Sequence, residues 1–102
     1  MFEVKFLVPV ADNDGNIFSP AHHEAFELLA TKLFGGVTIY PGHARGRWEH
    51  EGRTYQDDSI LVGVAVRSLG DWGKVIELEE FAKAHYRQLA VCLQYLGQVE
   101  IL

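Results

Sequence analysis

The run Ile60-Leu61-Val62-Gly63-Val64-Ala65-Val66 limits the fold more than any other part of the chain. Its period of two sends Ile60, Val62, Val64 and Val66 to one side and Leu61, Gly63 and Ala65 to the other. Both sides are apolar or small. A strand from Ser59 to Val66 therefore belongs at the centre of a sheet. A second alternating run spans residues 2–10. It places Phe2, Val4, Phe6, Val8 and Val10 on one face and Glu3, Lys5, Leu7 and Pro9 on the other.

Two helices interrupt this strand pattern. Ser19-Pro20 opens the first, because the serine side chain can accept from a free helix N–H and proline fits the first helical position. Phe26, Leu29, Ala30 and Leu33 form its apolar stripe, and Gly35-Gly36 ends it. The second helix is expected from Trp72 to Leu89, capped by Asp71, with Val75, Leu78, Phe81, Ala82, His85 and Leu89 at helical spacing. Asp12-Asn13-Asp14-Gly15-Asn16 reads as the turn that leaves the first strand.

Between the helices, Val37 to Tyr40 is a second strand, broken by Pro41-Gly42. The chain resumes at Arg45, and Glu51-Gly52 has the form of a two-residue hairpin loop. That loop sets His50 opposite Arg53, Trp48 opposite Tyr55 and Arg45 opposite Asp58. An aromatic pair and an opposite-charge pair then support the hairpin. A last strand is expected over Ala90 to Leu96, with a short extra strand over Val99 to Leu102 after a turn at Gly97-Gln98.

The order is strand, helix, strand, strand, helix, strand, the ferredoxin-like βαββαβ pattern. The expected α+β fold is an antiparallel four-stranded sheet with two helices on one face. The 102 residues make one domain, residues 1–102. With 48% hydrophobic and 23% charged residues the composition is that of a globular chain. A net charge of −5 argues against non-specific nucleic-acid binding. A single cysteine, Cys92, allows no internal disulfide and points to a reducing compartment. No signal peptide is legible at the N-terminus, and no apolar run reaches the ~18 residues of a membrane span. A cytoplasmic protein is expected.

Covering one face of the sheet leaves the other bare. That face would carry Lys5, Leu7, Thr38, Tyr40, Leu61, Gly63, Ala65 and part of the last strand, too apolar a surface for water. A homo-oligomer that buries part of it is expected.

The residues best suited to chemistry gather on and beside the hairpin. Tyr40, His43, Arg45, Arg47, Trp48, Tyr55 and Asp58 are the candidate ligand-binding set. Arginine offers paired hydrogen bonds to phosphate or carboxylate, and the indole offers a stacking face, so the set suits a small, planar, anionic ligand such as a nucleotide. A structural reading competes: Trp48 and Tyr55 pack together while Arg45 pairs with Asp58. Asp57 and Asp58 are adjacent, and consecutive strand residues point to opposite faces, which works against a catalytic pair.

The remaining motifs carry less. His22 and His23 diverge by about 100° on a helix, no metal-ligand spacing appears among the five histidines, and both read as solvated surface residues. Asp12-Asn13-Asp14-Gly15 resembles the start of a calcium loop, but His23 stands where the closing glutamate should be. No catalytic residue, metal ligand or cofactor is assigned.

Phe34-Gly35-Gly36-Val37-Thr38, Ala44-Arg45-Gly46-Arg47-Trp48, the Asp57-Asp58-Ser59-Ile60-Leu61-Val62 stretch after Gly52, and Tyr86-Arg87-Gln88-Leu89-Ala90-Val91 follow one another in an order that resembles a group of uncharacterised small bacterial and phage proteins. The resemblance runs over about residues 2–101, and Gly46, Trp48, Asp58 and Ser59 match its pattern. It implies a ferredoxin-like fold and carries no reaction with it.

Taken together, these features favour a non-enzymatic binding module, a homo-oligomer holding a small anionic ligand. A protein-interaction module acting through the open sheet face is the second reading. A small enzyme is the third, because no nucleophile, base and orienting group come together.

Overall fold

The computed structural model describes residues 1–102. The strands are β1 (Phe2–Pro9), β2 (Thr38–Ile39), β3 (Ala44–His50), β4 (Arg53–Val66), β5 (Cys92–Tyr95) and β6 (Gln98–Ile101). The helices are α1 (Pro20–Phe34) and α2 (Trp72–Tyr86), the latter entered through a short 3-10 turn at Leu69–Asp71. The sheet runs β2-β4-β1-β5-β6, and β3 also pairs with β4. This is the ferredoxin-like order, with the two most apolar strands central and β6 added at one edge. No helix is long and apolar enough to cross a membrane.

Register follows from the alternation. Val4, Phe6 and Val8 stand opposite Val64, Val62 and Ile60. These side chains, with Val66 and Leu93, meet Phe26 and Ala30 of α1 and Val75, Leu78, Ala82 and Tyr86 of α2 in one buried cluster. Both helices therefore cover the same face. Each large apolar side chain buried there contributes about 1.5–3 kcal/mol relative to exposure.

The helix ends are set by local chemistry. Ser19 Oγ accepts from the His22 N–H at 3.1 Å. Gly35 takes φ 81° and returns its N–H to the Thr31 carbonyl, a left-handed cap that glycine adopts without strain. The Asp12 turn also forms: its Oδ1 accepts from the N–H groups of Asp14 and Asn16 at 2.9 and 2.8 Å. The bond to the Asn16 N–H does most to hold the Asp12 carboxyl below its ordinary value.

Several boundaries differ from expectation. α2 ends at Tyr86, not Leu89, because Arg87 turns into the left-handed region at φ 56° and its N–H returns to Ala84 and Lys83. Leu89 consequently stands in solvent and not on the apolar stripe. The last strand is correspondingly short, Cys92–Tyr95.

The hairpin and the central strand are one element. β4 runs unbroken from Arg53 to Val66, but β1 pairs only with its Ser59–Val66 part. Over residues 53–58 the only strand paired with β4 is β3, so the hairpin overhangs the helix-covered body and its residues are exposed. β2 and β3 lie in succession along the same edge of β4, as one edge strand broken at Pro41-Gly42.

Candidate functional site

The β3–β4 register is the expected one: His50 faces Arg53, Trp48 faces Tyr55 and Arg45 faces Asp58. The loop residues Glu51 and Gly52 both have positive φ, 50° and 75°. That geometry matches the twist of the strands it joins. It also decides which side chains share a face. Residues 53, 55 and 57 continue the side of Leu61, Gly63 and Ala65, the face away from the helices. Trp48 and His50, directly opposite, lie on that open face as well.

On the open face the Trp48 and Tyr55 rings stack, with centroids 4.5 Å apart and planes 16° apart. The Trp48 indole N–H donates to Asp57 Oδ2 at 2.5 Å. This bond fixes the ring, and Trp48 nevertheless remains 48% exposed. One side of the indole is thus free. Arg53 is on the same face, two residues from Tyr55 and opposite His50.

Arg45, Arg47 and Asp58 lie on the reverse side of the hairpin. Strand alternation alone separates them from Trp48 and Tyr55. Arg45 and Asp58 are in register but form no ion pair; the ion pairs of the chain lie elsewhere. His43 belongs to a third place. It lines an open groove of about 830 Å³ between α1 and the β2 edge, along with His23, Glu24, Glu27, Val37 and Ile39. Burial and the neighbouring Glu24 charge hold the Glu27 carboxyl above its ordinary value.

Tyr40 marks a fourth place, at the centre of the open face. Its hydroxyl lies 2.8 and 2.7 Å from the Glu3 carboxylate oxygens, to which it donates. Lys5 Nζ approaches Glu3 Oε1 at 3.5 Å and sits 5.2 Å from the centroid of the Tyr40 ring. The hydrogen bond to Glu3 raises the Tyr40 phenol above its usual range, helped by burial and by the Glu3 charge. The Glu3 side chain lies directly on Gly63: a Cβ there would collide with its carboxylate. Six residues of β4 separate Tyr55 from Leu61, the level of Tyr40. That is about 20 Å of extended chain, too far for one small molecule to bridge within a single protomer.

The seven candidate residues are thus divided by the fold. Tyr40, Trp48 and Tyr55 share the open face, Arg45, Arg47 and Asp58 share the hairpin's reverse, and His43 edges the groove. Glu3, Lys5, Arg53 and Asp57 join the open-face group. The signal for them is the alternation of β1 and of the hairpin. No cluster of three or more His, Cys, Asp or Glu side chains gathers with metal-binding spacing. Burial raises the Cys92 thiol, which keeps it protonated.

No protein-family model matches the chain. No curated protein matches its sequence. Solved structures do match in shape over nearly its whole length. A phage SAM lyase in complex with S-methyl-5′-thioadenosine superposes with a TM-score of 0.73 at 16% identity, covering 99% of this chain and 88% of the lyase. The periplasmic divalent cation tolerance protein CutA from Archaeoglobus fulgidus gives 0.60 at 20% identity, covering 93% and 80%. A divalent cation tolerance protein from Thermus thermophilus gives 0.61 at 20% identity, covering 97% and 84%. At such identities the likeness establishes the fold. The chain shares the ferredoxin-like architecture of these proteins.

Proposed function

We propose that this chain is a small cytoplasmic binding module that assembles with copies of itself. It holds a nucleotide-type ligand, a planar heterocycle bearing an anionic group, between its hairpin and the sheet face of a neighbouring subunit. The observation that carries this reading is the Trp48–Tyr55 stack, ordered by Asp57 yet open on one side, at the end of an uncovered sheet face. An aromatic heterocycle stacking on that indole gains about 1–3 kcal/mol. Arg53 on the same face supplies paired donors for a phosphate or carboxylate.

The need for a second copy comes from surface and distance. Leu7, Leu61, Ala65, Val99 and Ile101 share the open face, an apolar area that a partner would cover. A neighbouring subunit lying across it also brings a Tyr40 close to a Trp48 that its own protomer cannot reach. Support of another kind comes from the phage SAM lyase, a protein of this shape whose structure is a complex with S-methyl-5′-thioadenosine.

Calorimetric titration with adenosine, AMP, S-methyl-5′-thioadenosine and S-adenosylmethionine tests the proposal. Binding of AMP that weakens at least tenfold in Trp48→Ala and in Arg53→Ala is the expected outcome. Heats that are absent at millimolar ligand, or unchanged in both variants, would count against it.

The Tyr40–Glu3 pair favours a second reading, an enzyme acting on such a nucleoside. The Glu3 carboxylate, held by a phenol and a lysine, is an anionic group fixed in place on the open face. Release of S-methyl-5′-thioadenosine from S-adenosylmethionine, abolished in Glu3→Gln, would establish it; an unchanged substrate would exclude that reaction.

A further inference from the structure

The sharpest arrangement outside the open face joins the two helices. His22 of α1 and His85 of α2 stack with ring centroids 3.7 Å apart and planes 12° apart. Phe18 lies on the outer side of His22 at 4.6 Å, and Phe81 on the outer side of His85 at 4.9 Å. The result is a stack of four rings, Phe18-His22-His85-Phe81. His22 Nε2 is 2.8 Å from the His85 carbonyl oxygen, and His85 Nε2 is 2.6 Å from the His22 carbonyl oxygen. A carbonyl can only accept, so both Nε2 atoms carry hydrogen and both helices are tied by reciprocal donors. In each neutral ring the bare nitrogen is then Nδ1.

We propose that the His22–His85 stack is a pH-sensitive clasp between α1 and α2, closed while at most one of the rings is charged and forced open when both are. A proton added to one Nδ1 leaves the Nε2 donors in place, and the resulting cation rests between a neutral imidazole and a phenylalanine face, a favourable setting. A proton added to the second Nδ1 sets two like charges 3.7 Å apart with no room between them.

No ion pair offsets the second charge. No carboxylate lies within ion-pairing distance of His22, His23 or His85. The positions one helical turn away are Ser19, Ala25 and Phe26 on α1, and Phe81 and Ala82 on α2. The titratable groups packed against the clasp are His23 of α1, whose Nδ1 lies 2.7 Å from the Tyr86 hydroxyl, and Tyr86 itself; His43 before β3 acts on His23. Glu27 acts on Tyr86 and Glu24 on Glu27, both from the groove side of α1. Burial, and then the charges of His22, His85 and His43, hold His23 below the usual imidazole value. Its contribution has the same sign: stability is complete above about pH 6.5 and declines as pH falls below it. Opening the clasp would free the first turn of α1, which forms one wall of the groove holding His23 and Glu24.

The test compares urea unfolding of the wild-type chain and of His22→Gln at pH 7.5 and pH 5.0. Glutamine keeps a donor for the His85 carbonyl and removes one charge. The folded-to-unfolded ratio of the wild type should fall about tenfold more than that of His22→Gln. The His22 charge also acts on His23, so both proteins in this comparison carry His23→Gln, which takes that contribution out of the difference. An equal fall in the two proteins would overturn the proposal. The wild-type protein supplies an independent readout should the variant fold poorly. Nitrogen-detected NMR should show Nε2–H tautomers on both rings at pH 7.5 and charging in two separate steps. Simultaneous charging of the two rings without opening would refute the clasp.

Discussion

At the residue scale, Gly63 has the clearest structural assignment. The Glu3 carboxylate occupies the space a Cβ would take there, and in that seat Glu3 accepts from Tyr40. Gly63→Ala should push Glu3 aside and break the bond. Since that bond is the main cause of the raised Tyr40 phenol, an ultraviolet titration of the variant should show Tyr40 moving down toward its ordinary value, as should Glu3→Ala. An unchanged Tyr40 titration would mean that Glu3 finds another way to the same hydroxyl. The histidines mark where sequence reading stops. His22 and His23 read as solvated surface residues, yet both are half-buried, one stacked on His85 and the other bonded to Tyr86. Those partners lie 63 positions away in sequence, and only the packing of α1 on α2 brings them together.

The hairpin shows at the element scale how alternation fixes a register and divides a surface. Its loop is two residues long, so every cross-strand partner follows by counting, and each expected pair is present. The same count places Trp48 and Tyr55 on one face and Arg45 and Arg47 on the other, a division that proximity in sequence does not show. The overhang keeps the hairpin's side-chain pairs apart from the packing of the core. A double-mutant cycle on Trp48→Ala and Tyr55→Ala should return a coupling of about 0.5–1.5 kcal/mol, measured by thermal unfolding. A coupling near zero would show that the rings do not stack in solution. The end of α2 is illegible for a different reason. Arg87 adopts the left-handed backbone that sequence rules reserve for glycine or asparagine, and the apolar spacing runs past it to Leu89.

At the scale of the whole molecule, the fold is legible because its two central strands are the two that are apolar or small on the required sides. The open face is marked in the sequence only by an excess of apolar area, and its burial in an assembly is the proposal to be tested. Ala65 is exposed on that face, opposite Glu3. Ala65→Glu should leave the far-ultraviolet circular dichroism of the protomer intact and shift sedimentation toward the monomer. A wild-type chain that sediments as a monomer at micromolar concentration would remove the basis for assembly.

The proposed ligand site depends on the free face of Trp48 as its stacking surface. The chain has two tryptophans, and Trp72 packs edge-on against Tyr95, so Trp72→Phe leaves Trp48 as the sole indole reporter. A bound base should quench its emission in a saturable manner, which distinguishes a site from collision in solution. Saturable quenching at or below millimolar AMP is the predicted result. Emission that stays constant, or falls only in linear proportion to AMP, would contradict it.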